Sequence, residues 1–442
     1  MRLSKPRFLD LPQEIKDRII AQSTIDVMIE RNKHFKACSL AHRSLTWASQ
    51  RELHRVVRFD WMSGPMTRKH IIKDETVYSD PQIATFVRKL LLSGLPSPRA
   101  DPVAWTVLAR LTRVTDLTIC DLETSPGWPC ITLEDRDAFR RTFPNIDTLY
   151  IHNDSFLRME DFLFFLTAFP NVTSLKLYDL SFDMSTDIST SVFPIQPLQH
   201  IPCPLLRFLD ITYDIDLPEG TDVPRLLAQW ITPLSQIAKP SFELVWFQDN
   251  DDDSAAFSQF VKALAPVLSS LEVTLPGGIS NMVDLGVWHC GKVESVTLSI
   301  LCATNYGFDE EEEEEEETQD NNTWVYNILY QLPTTHLKIM TLDLSEKSVA
   351  DLHRDGPNLA QIDDLLAQQH FDHVQVVLVF PSTVDMPKEE RTRGILQMVL
   401  RFLPNLCSKQ GAKFAWQSGW STFPLRTFPG LQTSLRGLGD LD

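Results

Sequence analysis

Phe143-Pro144-Asn145-Ile146-Asp147-Thr148-Leu149-Tyr150-Ile151 and Phe169-Pro170-Asn171-Val172-Thr173-Ser174-Leu175-Lys176-Leu177 are two copies of one pattern, Phe-Pro-Asn-φ-x-x-φ-x-φ, where φ is apolar. Proline pushes the residue before it out of helical backbone, and Asn suits the turn that follows. Leu175-Lys176-Leu177 then alternates, which is how a short strand with one buried face reads. Each copy therefore describes the end of a helix, a turn and the start of a strand.

Working outward, the apolar part of the pattern recurs along the body of the chain. Val87-x-x-Leu90-x-Leu92 and Val114-x-x-Leu117-x-Ile119 precede the two quoted copies. Leu206-x-x-Leu209-x-Ile211, Leu268-x-x-Leu271-x-Val273 and Val293-x-x-Val296-x-Leu298 follow them. Ile339-x-x-Leu342-x-Leu344 and Phe371-x-x-Val374-x-Val376 complete the series, with Phe242-x-Leu244 as a degenerate copy. The unit is about 25–35 residues with irregular insertions, the range of solenoid repeats. Helical patterns separate the strands, over 133–143, 159–169, 223–237, 255–268, 323–332, 358–370 and 392–403. Strand–helix units in series imply an α/β fold of parallel strands with outer helices, each unit burying its apolar side against its neighbours.

The N-terminal 60 residues differ in kind. Pro12 suits the first helical position, Glu14 lies in the first turn, and Ile15, Ile19 and Ile20 form an apolar stripe opposite Gln13, Lys16, Asp17 and Arg18. A second helical stretch is expected from about Phe35 to Val57. So short a segment buries little core alone and is expected to lean on the rest of the chain or on a partner.

Two resemblances follow. Leu11-Pro12-x-Glu14-Ile15 with Ile19-Ile20, then Cys38-Ser39-Leu40-Ala41-x-Arg43-Ser44 and Leu53-x-x-Val56, resembles the F-box motif in its fungal form. Ser23, Leu45 and His54 depart from the Leu, Trp and Phe of that motif. The repeats resemble an irregular leucine-rich-repeat horseshoe, although most lack that family's Asn or Cys position. The first resemblance implies docking on the Skp-type adaptor of a cullin–RING ubiquitin ligase through Leu11, Pro12, Glu14, Ile15, Ile19, Ile20, Cys38, Leu40 and Leu45. The expected organisation is an F-box-like domain over 1–60, a repeat array over 61–417 with a disordered acidic insertion near 305–323, and a loosely ordered tail over 418–442.

Composition narrows the function. The net charge is −18, yet residues 1–58 carry twelve Lys/Arg against six Asp/Glu, so a basic head precedes an acidic body. Nucleic-acid binding is disfavoured by that balance. Asp309–Glu317 is an unbroken acidic run, read as a hydrated insertion. The seven cysteines are widely spaced and form no C-x-x-C pair, so neither a disulfide framework nor a zinc ribbon is expected. Asp249–Asp253 lacks the Gly and distal Glu of a calcium loop. No apolar run is long enough for a membrane span, and the first residues lack the apolar core of a signal peptide. A cytoplasmic or nuclear location is expected.

No phosphate-loop Lys, Gly-x-Ser-x-Gly elbow or His/Glu metal spacing occurs, so no catalytic residue, metal or cofactor is expected. The resulting expectation is a non-enzymatic substrate receptor that binds the adaptor, and through it the cullin, and holds an unidentified protein client on the array. Trp246, Trp288 and Trp416 are candidate client anchors, with core packing as the equal alternative. Two other readings stay open at this point. One is a free-standing scaffold whose first helices merely cap the repeats. The other is a doubly wound α/β enzyme, which would want a Gly-rich loop after a strand.

Overall fold

The computed structural model describes residues 11–22, 28–61, 76–122, 131–156, 159–182, 203–213, 230–231, 242–248, 254–275, 285–300, 323–344, 356–381, 401–408 and 413–417. The expected helices over 223–237 and 392–403 lie mostly outside these residues. The acidic run, the 249–253 loop and the 418–442 tail lie wholly outside them. The chain divides into two compact units, Met1–Leu206 with Pro218–Thr221, and Arg207–Leu217 with Asp222–Asp442. This division falls inside the repeat series.

Unit 1 begins with α1 (Gln13–Gln22), α2 (Met28–Ala41) and α3 (Arg43–Leu53). The single helix expected from Phe35 to Val57 is broken, because His42 takes extended backbone and caps α3, its Nδ1 accepting from the Ser44 N–H at 3.1 Å. Val56, expected in that helix, opens β1 (Val56–Asp60). There follow α4 (Pro81–Ala84), β2 (Lys89–Ser93), α5 (Pro102–Leu108), β3 (Asp116–Cys120), α6 (Leu133–Thr142), β4 (Thr148–Phe156), α7 (Met159–Leu166) and β5 (Ser174–Phe182). All strand pairings in the unit are parallel. Register aligns Val57, Leu90, Leu117, Leu149 and Leu175 in one row, and Phe59, Leu92, Ile119, Ile151 and Leu177 in the next. All ten are buried. At about 1.5–3 kcal/mol for each fully buried aliphatic side chain, these rows are the main adhesive between repeats.

β1 is a repeat that the sequence pattern did not single out. His54 occupies its first apolar position, three residues before Val57.

The helices of unit 1 bring rings together behind the sheet. Phe139 on α6 is fully buried, with ring centroids 4.9 Å from Trp105, 5.0 Å from Phe165, 5.8 Å from Phe169 and 6.2 Å from Phe143. The Phe of each Phe-Pro-Asn junction is thus part of an aromatic core. The Asn has a different task. Asn145 Nδ2 donates to the Thr112 carbonyl at 3.1 Å, and Asn171 Nδ2 donates to the Pro144 carbonyl at 3.0 Å, each in the preceding repeat's turn. Backbone forks reinforce this. The N–H groups of Thr115 and Asp116 both donate to the Arg88 carbonyl, those of Asp147 and Thr148 to Thr115, and those of Thr173 and Ser174 to Asp147.

Unit 2 holds β6 (Phe208–Tyr213), β7 (Phe242–Gln248), α8 (Ser254–Leu264), β8 (Leu268–Leu275), a 3-10 turn (Val287–His289) and β9 (Ser295–Ile300). It continues through α9 (Thr323–Gln331), β10 (Ile339–Asp343), α10 (Gly356–Leu366), β11 (Gln375–Pro381), α11 (Pro404–Ser408) and β12 (Lys413–Gln417). These strands are also parallel. The degenerate copy is a true strand, with Leu244 and Trp246 in the two buried rows.

The degenerate copy, expected as Phe242-x-Leu244, therefore lies two residues early, and two full copies share the slip. Register puts Met340 and Leu342 of β10, and Val376 and Leu378 of β11, in the rows. The expected markers were Leu342 and Leu344, and Val374 and Val376. A slip of two residues keeps every side chain on the same face, so alternation alone does not reveal it. Lys292 Nζ and His373 Nε2 repeat the inter-repeat bond seen for the asparagines, meeting the Pro266 and Thr334 carbonyls at 2.9 and 2.7 Å.

At the far end, α10 reaches into the next repeat. Asp363 is fully buried, and its two carboxylate oxygens accept from the Leu406 N–H at 2.7 Å and the Asn405 N–H at 2.9 Å, capping α11. Burial raises the Asp363 pKa. The two backbone hydrogen bonds oppose that rise without cancelling it.

The whole is an α/β arrangement of parallel strands in sequential order within each unit, of the solenoid-like kind. Among the described residues the strands of each unit follow chain order, without the crossing of a doubly wound enzyme.

Candidate functional site

The three N-terminal helices pack around Ile20, Phe35, Leu45 and Ala48, with Cys38 and Leu53 against them. Gln13 Nε2 donates to the Ser44 carbonyl at 2.7 Å and ties α1 to α3. The Thr46 hydroxyl donates to the Ser39 carbonyl at 3.0 Å and ties α3 to α2. This core is small, and it leaves large apolar side chains outside. Ile15 and Ile19 are each 41% exposed, and Leu40 is 86% exposed.

The nine expected adaptor-contact residues therefore separate by position. Ile15, Ile19 and Leu40 lie at the surface with Pro12 and Glu14. Leu11 and Cys38 are half-buried, and Cys38 Sγ lies 3.6 Å from His34 Nε2. Ile20 and Leu45 belong to the internal core.

The head is joined to the first repeats of unit 1. Trp47 packs edge-on against Phe86, with centroids 4.7 Å apart. His54 packs edge-on against Tyr78 at 5.9 Å, and Tyr78 does the same against Phe59. Burial holds the His54 pKa below its ordinary value, and the Lys36 ammonium adds to the effect.

A second candidate surface is the sheet face turned away from the helices. In unit 1, Leu91, Thr118, Tyr150 and Lys176 form one half-buried row across β2–β5. The His152 ring stacks on Tyr178 at 4.7 Å and lies 5.9 Å from Tyr150. In unit 2 the corresponding positions include Asp210, Glu272, Thr297 and Thr341. The sequence points to none of these residues as a candidate site, although Tyr150 and Lys176 stand inside the two Phe-Pro-Asn copies. The signal was present as the x between the last two apolar positions of each copy.

Of the tryptophans proposed as anchors, Trp246 is core, packed against Phe257 and Phe260. Trp288 is exposed and lies on the His289 ring at 3.4 Å. The Trp416 side chain lies outside the described residues. Cys203 and Cys290 are buried, which pushes both thiols up to about 12 and leaves them protonated at neutral pH. Among the described residues no group of His, Cys, Asp and Glu is placed to hold a metal ion, and no helix is long and apolar enough to cross a membrane. No family model and no curated protein matches the chain.

Proposed function

We propose that this protein is a substrate-recognition subunit of a cullin–RING ubiquitin ligase of the Skp–cullin–F-box type. The N-terminal helices dock the Skp-type adaptor, and the repeat array holds a protein client near the transfer machinery. The chain needs no catalytic residue of its own, because its contribution is proximity. It acts in the cytosol or nucleus.

The observation that carries the reading is the exposure of Ile15, Ile19 and Leu40 on a helical head whose own core is already closed by other residues. Ile15 and Ile19 stand one helical turn apart on α1 and together make an apolar surface that a partner can cover. They are also positions that the F-box resemblance assigns to the adaptor.

A second reading is favoured by the Trp47–Phe86 and His54–Tyr78 contacts. They make the head a cap on the first repeats, as a terminal unit of a free-standing scaffold requires. One experiment separates the two. Full-length protein carrying Ile15→Asp, Ile19→Asp and Leu40→Asp is co-expressed with a Skp-type adaptor, and its circular dichroism and thermal melt are compared with wild type. Docking predicts that co-purification is lost while the fold is kept. If wild type fails to co-purify at all, the cap reading stands instead, and if the triple variant co-purifies unchanged, these three side chains are not the docking surface.

A further inference from the structure

The turns that lead into the strands of unit 1 carry a series of arginines. Arg55 precedes β1, Arg88 precedes β2, Arg110 and Arg113 lie between α5 and β3, and Arg140 and Arg141 close α6. The backbone forks set their order. Arg88 and Lys89 donate their N–H groups to the Arg55 carbonyl, and Thr115 and Asp116 donate theirs to the Arg88 carbonyl. Asn145, just past α6, holds the Thr112 carbonyl beside Arg113. The arginines thus follow one edge of the unit from repeat to repeat.

The Arg88 guanidinium is fixed in place, with Nη1 lying 3.0, 3.3 and 3.2 Å from the Thr85, Val87 and Arg113 carbonyls. Burial pushes its pKa down, and the Arg113 and Arg55 charges push it further, so these neighbours stand close enough to repel it. Arg110 Nη1 is buried without a hydrogen-bond acceptor. Among the described residues none of Arg88, Arg110, Arg113, Arg140 and Arg141 forms an ion pair. Nearby carboxylates are engaged elsewhere. Glu52 pairs with Arg51 and Arg55 at 3.4 Å, Asp116 lies 3.4 Å from Lys89 Nζ, and Asp147 accepts from the Thr173 hydroxyl at 2.7 Å.

A helix C-terminus favours cations, which accounts for Arg140 and Arg141 taken singly. It does not account for guanidiniums crowded without a counter-ion in a chain whose net charge is −18. An anion relieves that repulsion, and a guanidinium fork matches a carboxylate with two hydrogen bonds. The charges are strung along an edge and do not converge on one point, so a linear acidic segment fits them better than a lone small anion. A long polyanion would also meet the acidic body of the chain, which disfavours nucleic acid.

We infer that this arginine edge of unit 1 binds an acidic, Asp/Glu-rich segment of a partner protein. Binding here is independent of adaptor docking, which would use the head helices.

The test titrates full-length protein into a fluorescently labelled oligo-glutamate peptide and follows anisotropy. Wild type should bind, and Arg113→Glu with Arg140→Glu and Arg141→Glu should weaken binding about tenfold or more at low salt. The difference should close towards about 1 M salt, where screening shortens to about 3 Å. Arg→Lys at the same sites keeps the charge and loses the fork, so its affinity should fall between the two. Lys33→Glu with Lys36→Glu and Arg43→Glu changes the net charge equally on the head, and should stay within about twofold of wild type. Thermal melts check that each variant is folded.

Absence of wild-type binding overturns the inference, and so does an equal loss in the head control, which would make net charge the only cause. Tighter binding of a single-stranded RNA oligonucleotide, lost in the same arginine variant, would assign the edge to nucleic acid instead. If peptide binds only after Asp309–Glu317 is replaced by glycines and serines, the chain's own acidic run is the occupant and the inference of a partner fails.

Discussion

Replacing Asp363 with Ala should loosen the last repeats of unit 2 without unfolding the others. The carboxylate spans two repeats, standing on α10 and accepting from the backbone N–H groups of Asn405 and Leu406 at the start of α11. Leu406 is buried, so its amide would lose its acceptor in a place where water is scarce. An orphaned buried amide costs about 1–3 kcal/mol, and loss of a helix cap costs about 0.5–2 kcal/mol. Removing a carboxylate whose burial is itself unfavourable offsets part of this. A net loss of about 2–3 kcal/mol is expected, which corresponds to about 30- to 150-fold faster local opening. Hydrogen–deuterium exchange of peptides covering 401–408 reads that quantity, with peptides from unit 1 as the internal control. Unchanged exchange at Asn405 and Leu406 would refute the assignment of Asp363 as the bridge between these repeats.

The same residue gives a pH signature. Its pKa is raised in the folded protein, chiefly by burial. The folded state thus favours the protonated acid. The associated stability is complete below the ordinary Asp pKa of about 3.9 and is lost as pH rises through the folded value. Asp363→Asn cannot titrate, so the difference in urea midpoint between wild type and this variant should change over that window and be flat above it.

Two further outcomes are expected. Phe139→Ala in unit 1 should cost about 3–5 kcal/mol, because the ring is fully buried among Trp105, Phe143, Phe165 and Phe169, and the loss should appear as a lower denaturant midpoint for that unit. His54, with its lowered pKa, favours the neutral imidazole in the folded state, so its contribution is present above the ordinary histidine value and lost as pH falls through the folded one. Lys36→Gln should move the imidazole titration upward in an NMR experiment, and no movement would remove Lys36 as a cause.

Particular residues show what could be read from the chain beforehand. The Phe-Pro-Asn junctions disclosed helix end, turn and strand because each rests on local backbone physics. The buried rows of β2–β5 followed directly. Alternation fixes which face a residue is on but not which neighbour it meets, so the markers of β10 and β11 were read two residues out of place. β1 escaped notice because His54 fills a position where a purely apolar search expects Val or Leu. In the head, helical spacing identified Ile15 and Ile19 as a stripe with Ile20, yet only packing separates the buried Ile20 from its exposed neighbours. The sequence marks amphipathicity, whereas the division between core and surface depends on where α3 lies. Asp363 had no local signal at all, since its partners are more than forty positions away.

The forked carbonyls at the strand entrances have a consequence for how such a chain tolerates growth. Lys338 and Ile339 are locked to the Glu294 carbonyl, just as Thr148 and Asp147 are locked to Thr115. The connection from β9 to β10 contains the whole acidic run, while that from β8 to β9 is short. Even so, Val296 meets Leu271 on one side and Met340 on the other in the same row. Alignment is thus re-established at every strand entrance and does not accumulate error from the connection before it. Foreign sequence inserted between β9 and β10 should leave the neighbouring strands in step, which makes that connection a natural port for a reporter domain or an evolutionary acquisition.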